Sequence, residues 1–166
     1  MEIIMNIKTE QQKIRYEYRN EIENIIKKYN IDRKFFHEAD KLYYKKIQRN
    51  IYYTFCDYQK YPDIQFAYMW TRLRDNLKTS RRITTDWSDW NVYIDKINQL
   101  IPDNNPSTQY YIIMDGDWVY EGTITEIKKV LYEMPIFMED FYLSPKDYSW
   151  LIIHCEDGAC MFRVFK

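Results

Sequence analysis

Tyr110-Tyr111-Ile112-Ile113-Met114-Asp115-Gly116-Asp117-Trp118-Val119-Tyr120 is the stretch whose reading decides the fold. Residues 110–114 form an unbroken apolar run of strand length. Asp115-Gly116 then marks a tight turn, because both central positions of a two-residue hairpin need positive φ. Trp118-Val119-Tyr120 supplies the returning strand. Downstream, Thr123-Ile124-Thr125-Glu126 reads as a capping box, and Ile124, Ile127, Val130, Leu131 and Met134 make the apolar face of a short helix that stops at Pro135. Phe141-Tyr142-Leu143 follows as a strand and Ser144-Pro145-Lys146-Asp147 as a turn. A last hairpin joins residues 150–155 to 159–165 across Asp157-Gly158.

Upstream the period changes from two to between three and four. Asp103-Asn104-Asn105-Pro106-Ser107 is a loop by composition. Before it, Trp87, Trp90, Ile94, Ile97 and Ile101 recur at helical steps, with Asp86 and Asp89 as N-cap carboxylates. Residues 66–73 are ambiguous between a short helix and a buried extended run. Tyr43, Ile47, Ile51 and Phe55 place a helix over 38–57, and Ile14, Tyr18, Ile22, Ile25, Ile26 and Tyr29 place another over 9–29. The expected fold is α+β, with N-terminal helices packed on a mainly antiparallel C-terminal sheet. We expect one domain over 1–166, in which 1–60 is a helical arm and 109–166 the β-rich part.

Composition narrows function mainly by exclusion. The chain has 166 residues, 46% of them hydrophobic and 18% aromatic, which is too apolar for a disordered tail. Three glycines leave no room for the Gly-rich phosphate cradles, and G-x-S-x-G is absent. Nothing approaches the apolar length of a membrane span, and Met1–Lys8 lacks the basic-then-apolar pattern of an export signal, so the expected location is the cytoplasm. Cys56, Cys155 and Cys160 are too few for a disulfide framework. An Asp157-Gly158 turn would set Cys155 opposite Cys160, read here as small apolar side chains in a reduced compartment. His154 beside them points to the opposite face of its strand, so no metal site is assigned. No cofactor and no catalytic residue is assigned either, since the carboxylates fall at turns where solvation keeps them ordinary.

Charge is unevenly placed around a net of −1. Residues 109–166 hold five Lys/Arg against ten Asp/Glu, and 1–108 hold nineteen against fifteen. An acidic, aromatic surface for a protein partner is the leading expectation, with Asp115, Asp117, Trp118, Glu139, Asp140 and Glu156 as contacts. The alternative uses the basic cluster Arg72, Arg74, Arg81 and Arg82, beside Phe66, Tyr68 and Trp70, to hold nucleic acid.

Tyr68-Met69-Trp70-Thr71-Arg72-Leu73, Trp118-Val119-Tyr120-Glu121-Gly122 and Phe141-Tyr142-Leu143-Ser144-Pro145-Lys146-Asp147-Tyr148-Ser149-Trp150-Leu151 together resemble a family of small uncharacterised bacterial proteins of the toxin-immunity type. The family pattern carries a His pair after the last Trp-containing strand, where Glu156-Asp157 stand here. The resemblance implies an α+β single-domain protein of unassigned biochemistry, similar to immunity proteins that bind and block a cognate toxin; the expectation drawn is a non-enzymatic binding protein.

Overall fold

A computed structural model of the chain describes residues 17–103, 105–114, 118–134 and 140–165. Helix α1 (17–28) is followed by strand β1 (Phe36–Glu38), helix α2 (Lys41–Phe55) and a 3-10 turn (Met69–Arg72). Two short strands, β2 (Lys78–Thr79) and β3 (Ile83–Thr84), lead to helix α3 (Trp90–Asn98). Then come β4 (Gln109–Met114), β5 (Trp118–Thr123), α4 (Ile124–Glu133), β6 (Phe141–Pro145), β7 (Trp150–Cys155) and β8 (Gly158–Arg163). All eight strands join one sheet in the order β1-β5-β4-β6-β7-β8-β2, with β3 also on β8, and every pair is antiparallel. The α+β expectation therefore holds.

The sheet is covered on both faces. Ile112 and Met114 pack with Ile22, Ile94, Ile127 and Leu131 of α1, α3 and α4, whereas Ile113 packs with Ile47, Ile51 and Phe55 of α2. A strand buried on both sides reads as a continuous apolar run, which is why residues 110–114 do not alternate. β7 repeats the pattern, with Trp150 and Ile152 in the first cluster and Leu151 and Ile153 in the second.

Local rules set the element ends. Asp40 caps α2 by accepting from the Leu42 amide at 2.9 Å, so the helix starts three residues after the expected position. Of the residues it gives up, Glu38 is the last of β1, which pairs with β5. Asp89 caps α3 by accepting from the Val92 amide, and Asp86 shapes the turn before it by accepting from Ser88 and Asp89. Trp87 lies outside the helix and stacks on Trp90 at 5.7 Å. The capping box at α4 does not form: Thr123 makes no side-chain cap bond, and Glu126 pairs with Lys129 at 2.9 Å.

The two hairpins also correct the turn reading. Met114 pairs with Trp118, so three residues, 115–117, separate the paired strands. Cys155 pairs with Gly158, so Glu156-Asp157 is the turn and Cys160 lies opposite Ile153, not Cys155. Gly158 instead answers to crowding. Its φ is +145°, and a Cβ there would sit 2.2 Å from the Ile83 carbonyl oxygen of β3. Gly122 does the same at the other edge, where a Cβ would lie 2.5 Å from the Phe35 carbonyl oxygen. Two- and three-residue strands thus cover the open sides of β8 and β5.

Glu23 ties α1 to the turn after it. Its carboxylate meets Arg33 at 2.6 Å and accepts from the Tyr120 hydroxyl at 3.3 Å. The Arg33 hydrogen bond holds the carboxyl below its ordinary value against the opposing effect of burial. A depressed folded pKa contributes stability above the unfolded value and loses it as pH falls through the folded one. We expect Glu23→Gln to lose about 1 kcal/mol or less at pH 7, because Arg33 is half exposed and screened. Its thermal midpoint should then fall less than that of the parent chain between pH 5 and pH 2. Equal slopes in thermal melts over that window would show that the pair is not formed.

Candidate functional site

Of the six sequence-predicted contacts, Trp118, Asp140 and Glu156 fall among the described residues. Asp115, Asp117 and Glu139 lie outside the described residues. Trp118 is a correction: it is 7% exposed and packs into the first core cluster, with Arg19 and Lys41 over its ring at 5.5 and 5.7 Å. Hairpin alternation turns this ring inward, under the cations that a surface reading would have put beside it. Asp140 is half-buried and accepts from the Tyr142 hydroxyl at 3.1 Å. Glu156 is exposed at the β7–β8 turn, where its backbone oxygen accepts from Thr85.

The basic cluster separates into two pairs with different work. Arg72 donates to the Asp63 carbonyl at 3.1 Å, the Gln65 side chain at 2.6 Å and the Tyr52 hydroxyl at 3.3 Å, and lies over the Tyr61 ring. Arg74 donates to the Cys56 carbonyl at 3.2 Å and to the Tyr53 carbonyl. These two guanidinium groups serve the loop that carries them. Arg81 and Arg82 sit in the β2–β3 connection, exposed, with Arg82 3.4 Å from Asp157.

The loop braced by Arg72 and Arg74 carries the aromatic surface. Residues 57–72 leave the end of α2 and return to it, closed by the Cys56–Leu73 bridge and by backbone bonds from Asp57 to Arg72 and from Arg74 to Phe55. Phe66 and Met69 are buried against α2 and β6, with Phe66 edge-on to Tyr142 at 5.3 Å. Tyr58, Ile64, Tyr68 and Trp70 are exposed, Tyr68 most at 62%, and Tyr53 at the end of α2 packs on Tyr58 at 5.1 Å. Tyr68 holds φ +56°, a conformation that non-glycine residues seldom adopt and that turns its ring outward from the start of the 3-10 turn. Two signals in the sequence point here: the ambiguous apolar block at 66–73, and Phe66, Tyr68 and Trp70 beside the basic cluster.

A second, polar cluster lies at the start of α2. The Glu121 carboxylate meets His37 Nε2 at 2.8 Å and Lys146 Nζ at 2.7 Å, and Lys146 lies over the Tyr111 ring, which stacks on Tyr148. These groups border a cleft of about 750 Å³. Both oxygens of Glu121 are engaged, so this carboxylate braces β1, β5 and the β6–β7 turn. The thiols are poor nucleophiles at neutral pH. Burial pushes Cys56 up to about 12 and also raises Cys155 and Cys160. Among the described residues, no group of three His, Cys, Asp or Glu could hold a metal ion, and no helix is long and apolar enough to cross a membrane.

The features on view define an α+β protein with a helix-covered antiparallel sheet and an outward-facing aromatic loop. The chain belongs to DUF6756, a family of unknown function whose model matches residues 14–164. No curated protein and no solved structure matches it significantly.

Proposed function

We propose that this chain is a non-enzymatic, cytoplasmic binding protein of the immunity type, which covers and neutralises a protein toxin with the aromatic loop at 57–72. The observation that supports this reading is Tyr68 and Trp70, two large exposed rings on a loop whose neck is fixed by arginine–carbonyl bonds. Rigid Tyr and Trp side chains bury much area at little entropic cost, and they dominate binding hot spots.

The test is co-expression with the product of the adjacent reading frame, which this reading requires to be a toxin domain, followed by size-exclusion chromatography and a growth assay. We expect a stable complex and restored growth. Tyr68→Ala or Trp70→Ala should each weaken the complex by about thirtyfold, the equivalent of about 2 kcal/mol, without changing the circular dichroism spectrum. Co-expression that gives neither complex nor protection would remove the reading. Salt-sensitive capture of single-stranded nucleic acid by the chain alone would replace it.

A further inference from the structure

A cleft of about 800 Å³ opens at the end of the sheet opposite the β7–β8 turn, among the ends of β4, β6, β7 and β8. Its volume is that of a small-molecule site. Arg163 at the end of β8 pairs across strands with Trp150 of β7, and Trp150 packs on Tyr110 of β4 with ring centroids 5.7 Å apart. Guanidinium, indole and phenol therefore line one side of the cleft in a row.

Two polar groups in this row lack a hydrogen-bond partner. Arg163 Nε is buried with none, and among the described residues no carboxylate lies within ion-pair distance of this guanidinium. Among the described residues, the one polar contact of this guanidinium is Nη2 at 4.0 Å from Met161 Sδ, too long to matter. The Tyr110 hydroxyl, on a fully buried ring, also meets no partner at hydrogen-bond geometry; the Thr108 hydroxyl beside it donates to Asp103. Burial, with the Asp103 charge second, raises this phenol against the opposing effect of the Thr108 hydroxyl. Of the other charged groups of the cleft, only Lys146 is ion-paired among the described residues, and the two carboxylates take neutral donors. Asp103 accepts from the Asn105 amide at 2.8 Å and from Thr108, Asp147 accepts from the Ser149 amide, and Lys146 pairs with Glu121. Buried donors left unmade destabilise a fold, and Arg is the side chain best matched to a two-oxygen acceptor.

We propose that this cleft binds a small organic oxyanion, a carboxylate or phosphate monoester on a flat apolar body. Arg163 is the charged donor, Tyr110 the neutral donor at the floor, and Trp150 the apolar wall. The site stands apart from the aromatic loop and does not depend on the function proposed for it.

Isothermal titration of the full chain with benzoate and with phenyl phosphate tests this, the two arms separating the carboxylate from the phosphate source. We expect saturable binding of at least one probe below about 1 mM. Arg163→Gln should weaken it by about tenfold or more, and Arg163→Lys, which keeps the charge but loses the fork, by nearly as much. Arg49→Gln on the exposed side of α2 should leave it unchanged. Tyr110→Phe should weaken binding while leaving the ligand-free thermal midpoint unchanged or about 2 °C higher, since it removes an unsatisfied hydroxyl. Failure of both probes to saturate by about 10 mM overturns the proposal. So does parent-like affinity in folded Arg163→Gln and Arg163→Lys proteins.

Discussion

Gly158→Ala should destabilise the protein by about 3 kcal/mol or more, one of the two largest effects we expect from a single side-chain change. The added methyl would stand 2.2 Å from the Ile83 carbonyl oxygen, a distance that real contacts do not reach, on a backbone at φ +145° that L-residues avoid. The chain has two ways out, and each loses structure. β8 can rotate, which breaks its register with β7, or β3 can leave the edge, which also opens the Arg82–Asp157 contact. Urea unfolding measures the total. Hydrogen exchange at Ile83, Thr84 and Ala159 tells which strand yields. A Gly158→Ala protein within about 0.5 kcal/mol of the parent would mean that β3 does not cross β8 at this position.

His154→Ala should cost about as much, roughly 3–4 kcal/mol, through a cavity together with an orphaned phenol. His154 is fully buried between the sheet and α3. Its Nδ1 is 2.7 Å from the Tyr93 hydroxyl, its ring stacks on Phe141 at 4.8 Å, and it meets Trp90 edge-on at 5.6 Å. Tyr93→Phe keeps both rings in place and should cost about 1–2 kcal/mol. The double variant should cost less than the sum of the two, because each single change already breaks the shared hydrogen bond. Strict additivity in denaturant unfolding would show that the phenol and imidazole do not interact. The sequence reading treated His154 mainly as a doubtful metal ligand, and its role is packing.

What the sequence made legible follows from how local each signal is. The helices α2, α3 and α4 and strands β4 to β8 announce themselves through periodicity and runs, since burial on one or two faces leaves a mark in consecutive residues. β1, β2 and β3 leave no such mark. At two or three residues they are shorter than any periodic window, and only their distant partners on β5 and β8 define them. Gly158 shows the same limit in one residue. Asp157-Gly158 reads locally as a turn, whereas the glycine is required by a strand 75 residues earlier in the chain, at Ile83. The capping box failed for a related reason: Thr123 is the last residue of β5, paired with Gln109, and its amide is bonded to Phe35.

The candidate sites were harder still. Turn acids can be named from sequence, but Trp118 turned inward because hairpin register, not proximity to acids, decides which face a ring takes. Arg72 and Arg74 looked like a cationic surface because the sequence does not reveal the carbonyl groups that receive them. The unpaired Arg163 was invisible for the opposite reason. Its distinction is the lack of an acceptor, which only the packed structure displays.

The neck of the aromatic loop has a consequence for how such a protein can diversify. Both ends of residues 57–72 are pinned to the last turn of α2 by main-chain contacts and by Arg74, whose acceptors are main-chain carbonyls. Those fastenings do not depend on which side chains stand at the tip. The exposed positions Tyr58, Ile64, Tyr68 and Trp70 can therefore change between a fixed pair of posts, so long as Phe66 and Met69 keep their places in the core.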